Sequence, residues 1–124
     1  MHVASDIYPV QYDISQGDAV KLITREELKK MIDSQFSFVL IDARSHEAFD
    51  KVRLPRAISI PSDHLGTHLL KEHAKSMTFV TYCTDFECEA STVAAKKLEK
   101  LGFKNVLEFK GGIKDWKNAG YPTE

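Results

Sequence analysis

Apolar and polar positions along this chain fall into short runs whose period changes repeatedly. Phe38 to Ile41, inside "FVLIDAR", is a continuous apolar run that fits a strand buried on both faces. "TFVTY" (Thr78 to Tyr82) is another buried strand, and "NVLEF" (Asn105 to Phe109) a further strand. "VKLI" from Val20 and "AISIP", stopped by Pro61, are shorter strands. Between them the apolar residues move to helical spacing. Leu28, Met31 and Ile32 face one way in "TREELKKMIDS", where Thr24 and Glu27 have the spacing of a capping box. "SHEAFDKV" reads as one or two helical turns capped by Ser45, and "SDHLGTHLLKEHA" as a second amphipathic helix. In "EASTVAAKKLEKLG" the residues Ala90, Val93, Ala94, Leu98 and Leu101 form one stripe, and Gly102 is placed to end the helix. "GGIKDWKNAG" gives a short last helix, with Gly111 and Gly112 allowing a tight turn and Trp116 packing in the core.

Strands that alternate with helices imply an α/β domain: a mainly parallel sheet with helices on both faces. In such open sheets, ligands bind beyond the carboxyl ends of the strands. Cys83 sits at that end of "TFVTY". Residues 1–19 read differently. Tyr8, Val10, Tyr12 and Ile14 alternate with polar positions and Pro9 interrupts them, which suggests an arm that packs on a domain formed by residues 20–124. A length of 124 residues suits one such domain.

A net charge of -1 lacks the basic excess of nucleic-acid binding proteins. The lysines of "KKLEK" read as a solvated face. No run approaches the ~20 apolar residues of a membrane span, and "MHVASDIYPVQYD" lacks the pattern of a signal peptide. The expected location is cytoplasmic. Thiols stay reduced there, so a permanent disulfide between Cys83 and Cys88 is not expected, while a transient one remains open. Both cysteines in a zinc site would need further ligands, and His2, His46, His64, His68 and His73 show no matching spacing. His64 and His68 lie four apart but read as solvent-exposed.

The residues Thr84, Asp85, Phe86, Glu87, Cys88 and Glu89 must turn the chain from strand into helix. Such a loop can aim backbone N–H groups at one point, and the helix adds its positive end, so a Cys83 thiolate would be stabilised there. The bland alternative is a small buried cysteine at a strand end. Charge does not help the nucleophile locally: Asp85, Glu87 and Glu89 crowd the loop, and no Lys or Arg occurs from Ser76 to Ala95.

From about Val20 to Pro122 the chain resembles a rhodanese-homology domain. "VLIDAR" matches that family's Asp-x-Arg strand end, "RLPRAISIP" its Gly-His-Ile-Pro-Gly-Ala segment, and "TYC" the strand leading to its active-site cysteine. "LGFKNVLEFKGGIKDWKNAGYP", with Leu-Gly-Phe, a strand, Gly-Gly, Trp and Gly-x-Pro in order, is the most specific stretch. The resemblance implies a parallel sheet of about five strands between helices. It also implies a sulfurtransferase in which Cys83 attacks a sulfane sulfur donor, becomes a persulfide and passes the outer sulfur to a thiol, cyanide or a protein acceptor. No metal or organic cofactor would be needed, and the loop amides from Thr84 to Glu89 would hold the donor. Asp42 and Arg44 would tie the strand end to neighbouring backbone. The donor would be a small molecule or a persulfidated protein.

The departures also carry information. Family loops often hold Arg and Gly after the cysteine, where this one reads Thr-Asp-Phe-Glu-Cys-Glu. Val52 and Arg53 stand in place of Gly-His, and Arg56 in place of Gly; Arg53 or Arg56 could restore positive charge near the site. Related phosphatase folds need an Arg six positions after the cysteine, and here that position is Glu89, which would repel phosphate. The same repulsion weighs against thiosulfate as donor, unless the acids point away from the loop amides. Cys88 reads either as a resolving thiol or as a cysteine packed under the loop. Two other functions stay open: a non-catalytic protein-binding module, and a dithiol redox protein using Cys83 and Cys88.

Overall fold

The computed structural model describes residues 12–13 and 19–124. Among the described residues the strands in chain order are β1 (Tyr12–Asp13), β2 (Val20–Lys21), β3 (Val39–Asp42), β4 (Ala57–Ser59), β5 (Thr78–Tyr82) and β6 (Asn105–Phe109). The helices are α1 (Arg25–Asp33), α2 (His46–Lys51), α3 (Leu69–Glu72), α4 (Ala90–Lys100) and α5 (Gly112–Asn118). Four strands form one parallel sheet in the order β4-β3-β5-β6. Leu22 adds a parallel bridge to Glu108 beyond β6, so the segment after β2 occupies the fifth position at that edge. β1 pairs antiparallel with β2. The rest of the expected arm, residues 1–11 and 14–18, lies outside the described residues.

Strand alternation divides the core in two. Ile41, Phe79 and Val106 point to a cluster completed by Ala94, Ala95 and Leu98 of α4. Leu40, Val80, Tyr82 and Phe109 point the other way, to Leu28 of α1 and to Ile113 and Trp116 of α5. The sheet is therefore covered on both faces, which is why its central strands read as unbroken apolar runs. Helix starts follow the local chemistry. Thr24 and Glu27 close a full capping box on α1, and the Ser45 side chain accepts from the Ala48 amide to start α2. At the end of α4, the Phe103 amide donates to Leu98 and the Gly102 amide to Glu99, with Gly102 at φ +101°. That is a Schellman ending, and Phe103 and Leu98 share one core cluster.

One expected element is corrected. The "SDHLGTHLLKEHA" segment is not a continuous helix; it forms a short 3-10 turn at Ser62–His64 and the four-residue α3. Leu65 between them is extended (φ -68°, ψ 132°), and Gly66 follows. Leu65 and Leu69 are both buried, so two anchors at helical spacing are met without helix between them. No described helix is long and apolar enough to cross a membrane.

Candidate active site

The end of β5 is held by a buried ionic cluster. Asp42, fully buried at the end of β3, accepts from the Arg44 backbone amide at 3.0 Å, from the Arg44 guanidinium at 2.7 Å and from the Tyr82 hydroxyl at 2.7 Å. Arg44 also donates to the Val52 carbonyl, and the Leu54 amide donates to the Tyr82 hydroxyl. Burial works against the Arg44 charge, but the hydrogen bonds and charge of Asp42 outweigh it and raise the guanidinium above its ordinary value. Burial, and then the charge of Asp42, push the Tyr82 hydroxyl far above the usual tyrosine range. Tyr82 is the residue before Cys83, so this cluster sets where the chain leaves the sheet.

Cys83 follows with only 1% of its surface exposed. Two of its neighbours are then used to shape the loop. The Asp85 side chain accepts from the Glu87 amide at 3.0 Å, and the Asp85 carbonyl accepts from the Cys88 amide at 3.2 Å. This Asx turn folds the loop back on itself. The Cα atoms of Cys83 and Cys88 stand 6.3 Å apart, and their sulfurs are bonded as a disulfide. A separation of about 4.4–6.8 Å is what such a bond requires. The sequence argues against a permanent disulfide and leaves a transient one open; the pairing puts the two sulfurs within reach of each other, with Asp85 tightening the turn between them. Cys88 is half-buried. The expected cradle of loop amides is also revised, since the Glu87 and Cys88 amides are directed to Asp85. Phe86 projects from the turn, 64% exposed.

The cation missing from the local sequence arrives from β6. Lys110, the residue after that strand, donates through Nζ to the Cys88 carbonyl at 3.3 Å and to Thr92 Oγ1 at 3.0 Å, and lies 3.8 Å from Glu108. Glu108 is fully buried, and one of its oxygens accepts from the hydroxyls of Ser91 and Thr92, each at 2.7 Å. The Thr81 hydroxyl, opposite Glu108 in the sheet, donates to the Ser91 carbonyl. A polar network thus pins the start of α4 to β5 and β6. Sequence reasoning missed Lys110 and Glu108. The available signal was topological: in a parallel sheet the end of β6 lies beside the end of β5.

The last helix closes the site from the other side. At the start of α5, the Ile113 and Lys114 amides donate to the Cys83 and Thr84 carbonyls at 3.1 and 2.9 Å. Gly112 makes this contact possible. Its φ is +66°, and a Cβ there would lie 2.6 Å from the Cys83 carbonyl oxygen and 2.7 Å from the Thr84 carbonyl carbon. Gly112→Ala is expected to cost on the order of 3 kcal/mol, from backbone strain plus the collision. Urea unfolding would measure it, and a midpoint equal to wild type would rule out the close approach.

A family model, "Rhodanese-like domain", matches residues 24–119. The chain belongs to the rhodanese-like domain family. The BH2092 protein of Bacillus halodurans superposes with a TM-score of 0.78 at 31% identity, over 83% of this chain and 75% of that one. YrkF of Bacillus subtilis, a candidate sulfur carrier protein by name, is 26% identical over 86% of this chain and 56% of its own length. The HTH-type transcriptional regulator Rv0324 of Mycobacterium tuberculosis is 29% identical over 87% of this chain and 46% of its own. The chain therefore spans about half the length of these curated relatives.

Within this rhodanese-like domain Arg53 and Arg56 both meet aromatic rings. The Arg53 guanidinium stacks 4.7 Å from the Phe49 ring centre, and its backbone pairs with Glu124. Arg56 adopts φ +72° where the family pattern has Gly, and it lies 4.4 Å from the Phe38 ring centre, bonded to the Phe36 and Phe38 carbonyls. Phe38 enters β3, whereas Cys83 follows the carboxyl end of the parallel β5, so Arg56 is at the opposite end of the strands. Both guanidinium groups pack close to an aromatic face. Among the described residues, no group of three or more His, Cys, Asp or Glu could hold a metal ion.

Proposed function

We propose that this rhodanese-like domain is a sulfurtransferase in which Cys83 takes a sulfane sulfur as a persulfide and passes it to a thiol acceptor. The observation that carries the reading is the position of Cys83. It stands at the carboxyl end of the central strand β5, with its backbone held by the start of α5 and by the Asp42–Tyr82 cluster. That gives a thiol a fixed place in a site of the kind where α/β sheets bind ligands. Donors of low charge suit the surroundings best. A recess of about 310 Å³ beside the loop is lined by Asp85, Phe86, Glu87 and Lys114, so carboxylates outnumber the cation there. Two of the amides that would hold an anion are already directed to Asp85.

The test uses fully reduced protein mixed with an equal amount of cysteine persulfide, then alkylated and weighed. One sulfane sulfur should be consumed per chain, retained on Cys83 or released as sulfide. Absence of both would overturn the reading. Thiosulfate, a dianion, should be a poorer donor by about tenfold in kcat/KM, the effect of roughly one like-charge contact. A low micromolar thiosulfate KM would contradict this.

A second reading, a dithiol redox protein, is favoured by the Cys83–Cys88 bond. It would show as reversible disulfide formation without uptake of sulfur.

A further inference from the structure

We infer that Cys88 is a second catalytic thiol, and that this site releases its sulfur as sulfide while closing a Cys83–Cys88 disulfide. The inference rests on the proposed Cys83 persulfide: where no external thiol takes the outer sulfur, Cys88 attacks in its place and the sulfur leaves as sulfide.

Reach comes first. The two sulfurs bond to each other with Cα atoms 6.3 Å apart, so Cys88 Sγ can approach Cys83 Sγ in the folded protein. Position comes second. The Cys88 amide is held by Asp85, and its carbonyl by Lys110, which is anchored in turn on Thr92. The thiol is therefore presented from a backbone fixed at both polar groups. Asymmetry comes third. Cys83 is 1% exposed, whereas Cys88 is half-buried.

The chemistry balances without a metal or cofactor. The Cys83 thiolate attacks the outer sulfur of a persulfide donor, and the donor thiol leaves. The Cys88 thiolate then attacks Cys83 Sγ. The Cys83–Cys88 bond forms, the Cys83 Sγ–S bond breaks, and HS⁻ carries away the electron pair. The sulfane sulfur is the oxidant; it is reduced to sulfide while two thiols become a disulfide. An external dithiol must then restore the pair. It would attack the more exposed Cys88 sulfur, freeing the buried Cys83 thiolate for another donor. Lys110 is a positioning residue here, acting through the Cys88 backbone.

The experiment compares wild type with Cys88→Ser, both reduced, freed of reductant and mixed with an equal amount of cysteine persulfide. Released sulfide and protein mass are read together. Wild type should release about one sulfide per chain and lose two hydrogens, as a disulfide requires. Cys88→Ser should hold one extra sulfur on Cys83 and release almost none. A wild type that keeps a stable Cys83 persulfide, with no sulfide, would overturn the role of Cys88 and leave sulfur transfer standing. If neither protein takes up sulfur or releases sulfide, the sulfurtransferase reading falls, and this one with it. The wild-type arm decides even where the variant folds poorly, since sulfide release with disulfide closure is measured on the native chain.

Discussion

Cys83→Ser is expected to abolish sulfur uptake, lowering the rate with cysteine persulfide by at least about 10³-fold. The substitution changes one atom of similar size, so it should leave the packing around a residue with 1% exposure intact. What it removes is chemical. A serine hydroxyl does not ionise near neutral pH and is a weak nucleophile toward sulfur, whereas cysteine reacts through its thiolate. Circular dichroism and a melting curve close to those of reduced wild type, which also lacks the Cys83–Cys88 bond, would establish that the fold is kept. The informative partner is Cys88→Ser, which keeps uptake and alters only the fate of the sulfur. Transfer retained in Cys83→Ser above about a tenth of wild type would mean that Cys88 takes the sulfur itself, and the roles would be reversed.

Asp42→Ala is expected to be the most destabilising single change at the sheet end, costing about 3–5 kcal/mol. Asp42 has no exposed surface, and the Arg44 side chain bonded to it is 9% exposed. Removing the carboxylate leaves a nearly buried guanidinium with its charge uncompensated, and the Tyr82 hydroxyl loses the oxygen it donates to. A small domain holds only about 5–15 kcal/mol in total, so the loss is a large fraction of its stability. The change should also reach function, because Tyr82 precedes Cys83. Urea unfolding should show a lowered midpoint with an unchanged slope. A cost below about 1 kcal/mol would show that the cluster is screened like a surface pair and does not hold the strand end.

Much of this architecture was legible beforehand because it is written in local pattern. The β5 strand at Thr78–Tyr82 and β6 at Asn105–Phe109 match their apolar runs, and Thr24, Ser45 and Gly102 mark helix ends through short-range hydrogen bonds. The family itself was legible from the ordered segments around Asp42, Cys83 and Gly111–Gly112, and the match over residues 24–119 agrees. Pattern misled at Ser62–Ala74, because Leu65 and Leu69 look alike whether the chain between them is helix or loop. It also misled at Arg56. Nearness in sequence to a conspicuous segment says nothing about which way a long side chain runs, and this one runs to Phe36 and Phe38.

The sequence by itself determined the alternation of strands and helices, the end of the parallel strands at which α/β sheets bind ligands, and the cysteine that follows the central strand there. These follow from burial and from hydrogen bonds spanning a few residues. Only the tertiary structure decided the company Cys83 keeps. Lys110 and Glu108 come from a strand paired side by side with β5, Gly112 from a helix whose start meets the Cys83 backbone, and Cys88 from a turn closed by Asp85. The physical reason is that these contacts join residues far apart in the chain, or depend on the direction of one loop. The charge balance of the site is therefore set by neighbours in space: a cation lies beside a loop whose own sequence holds only acids.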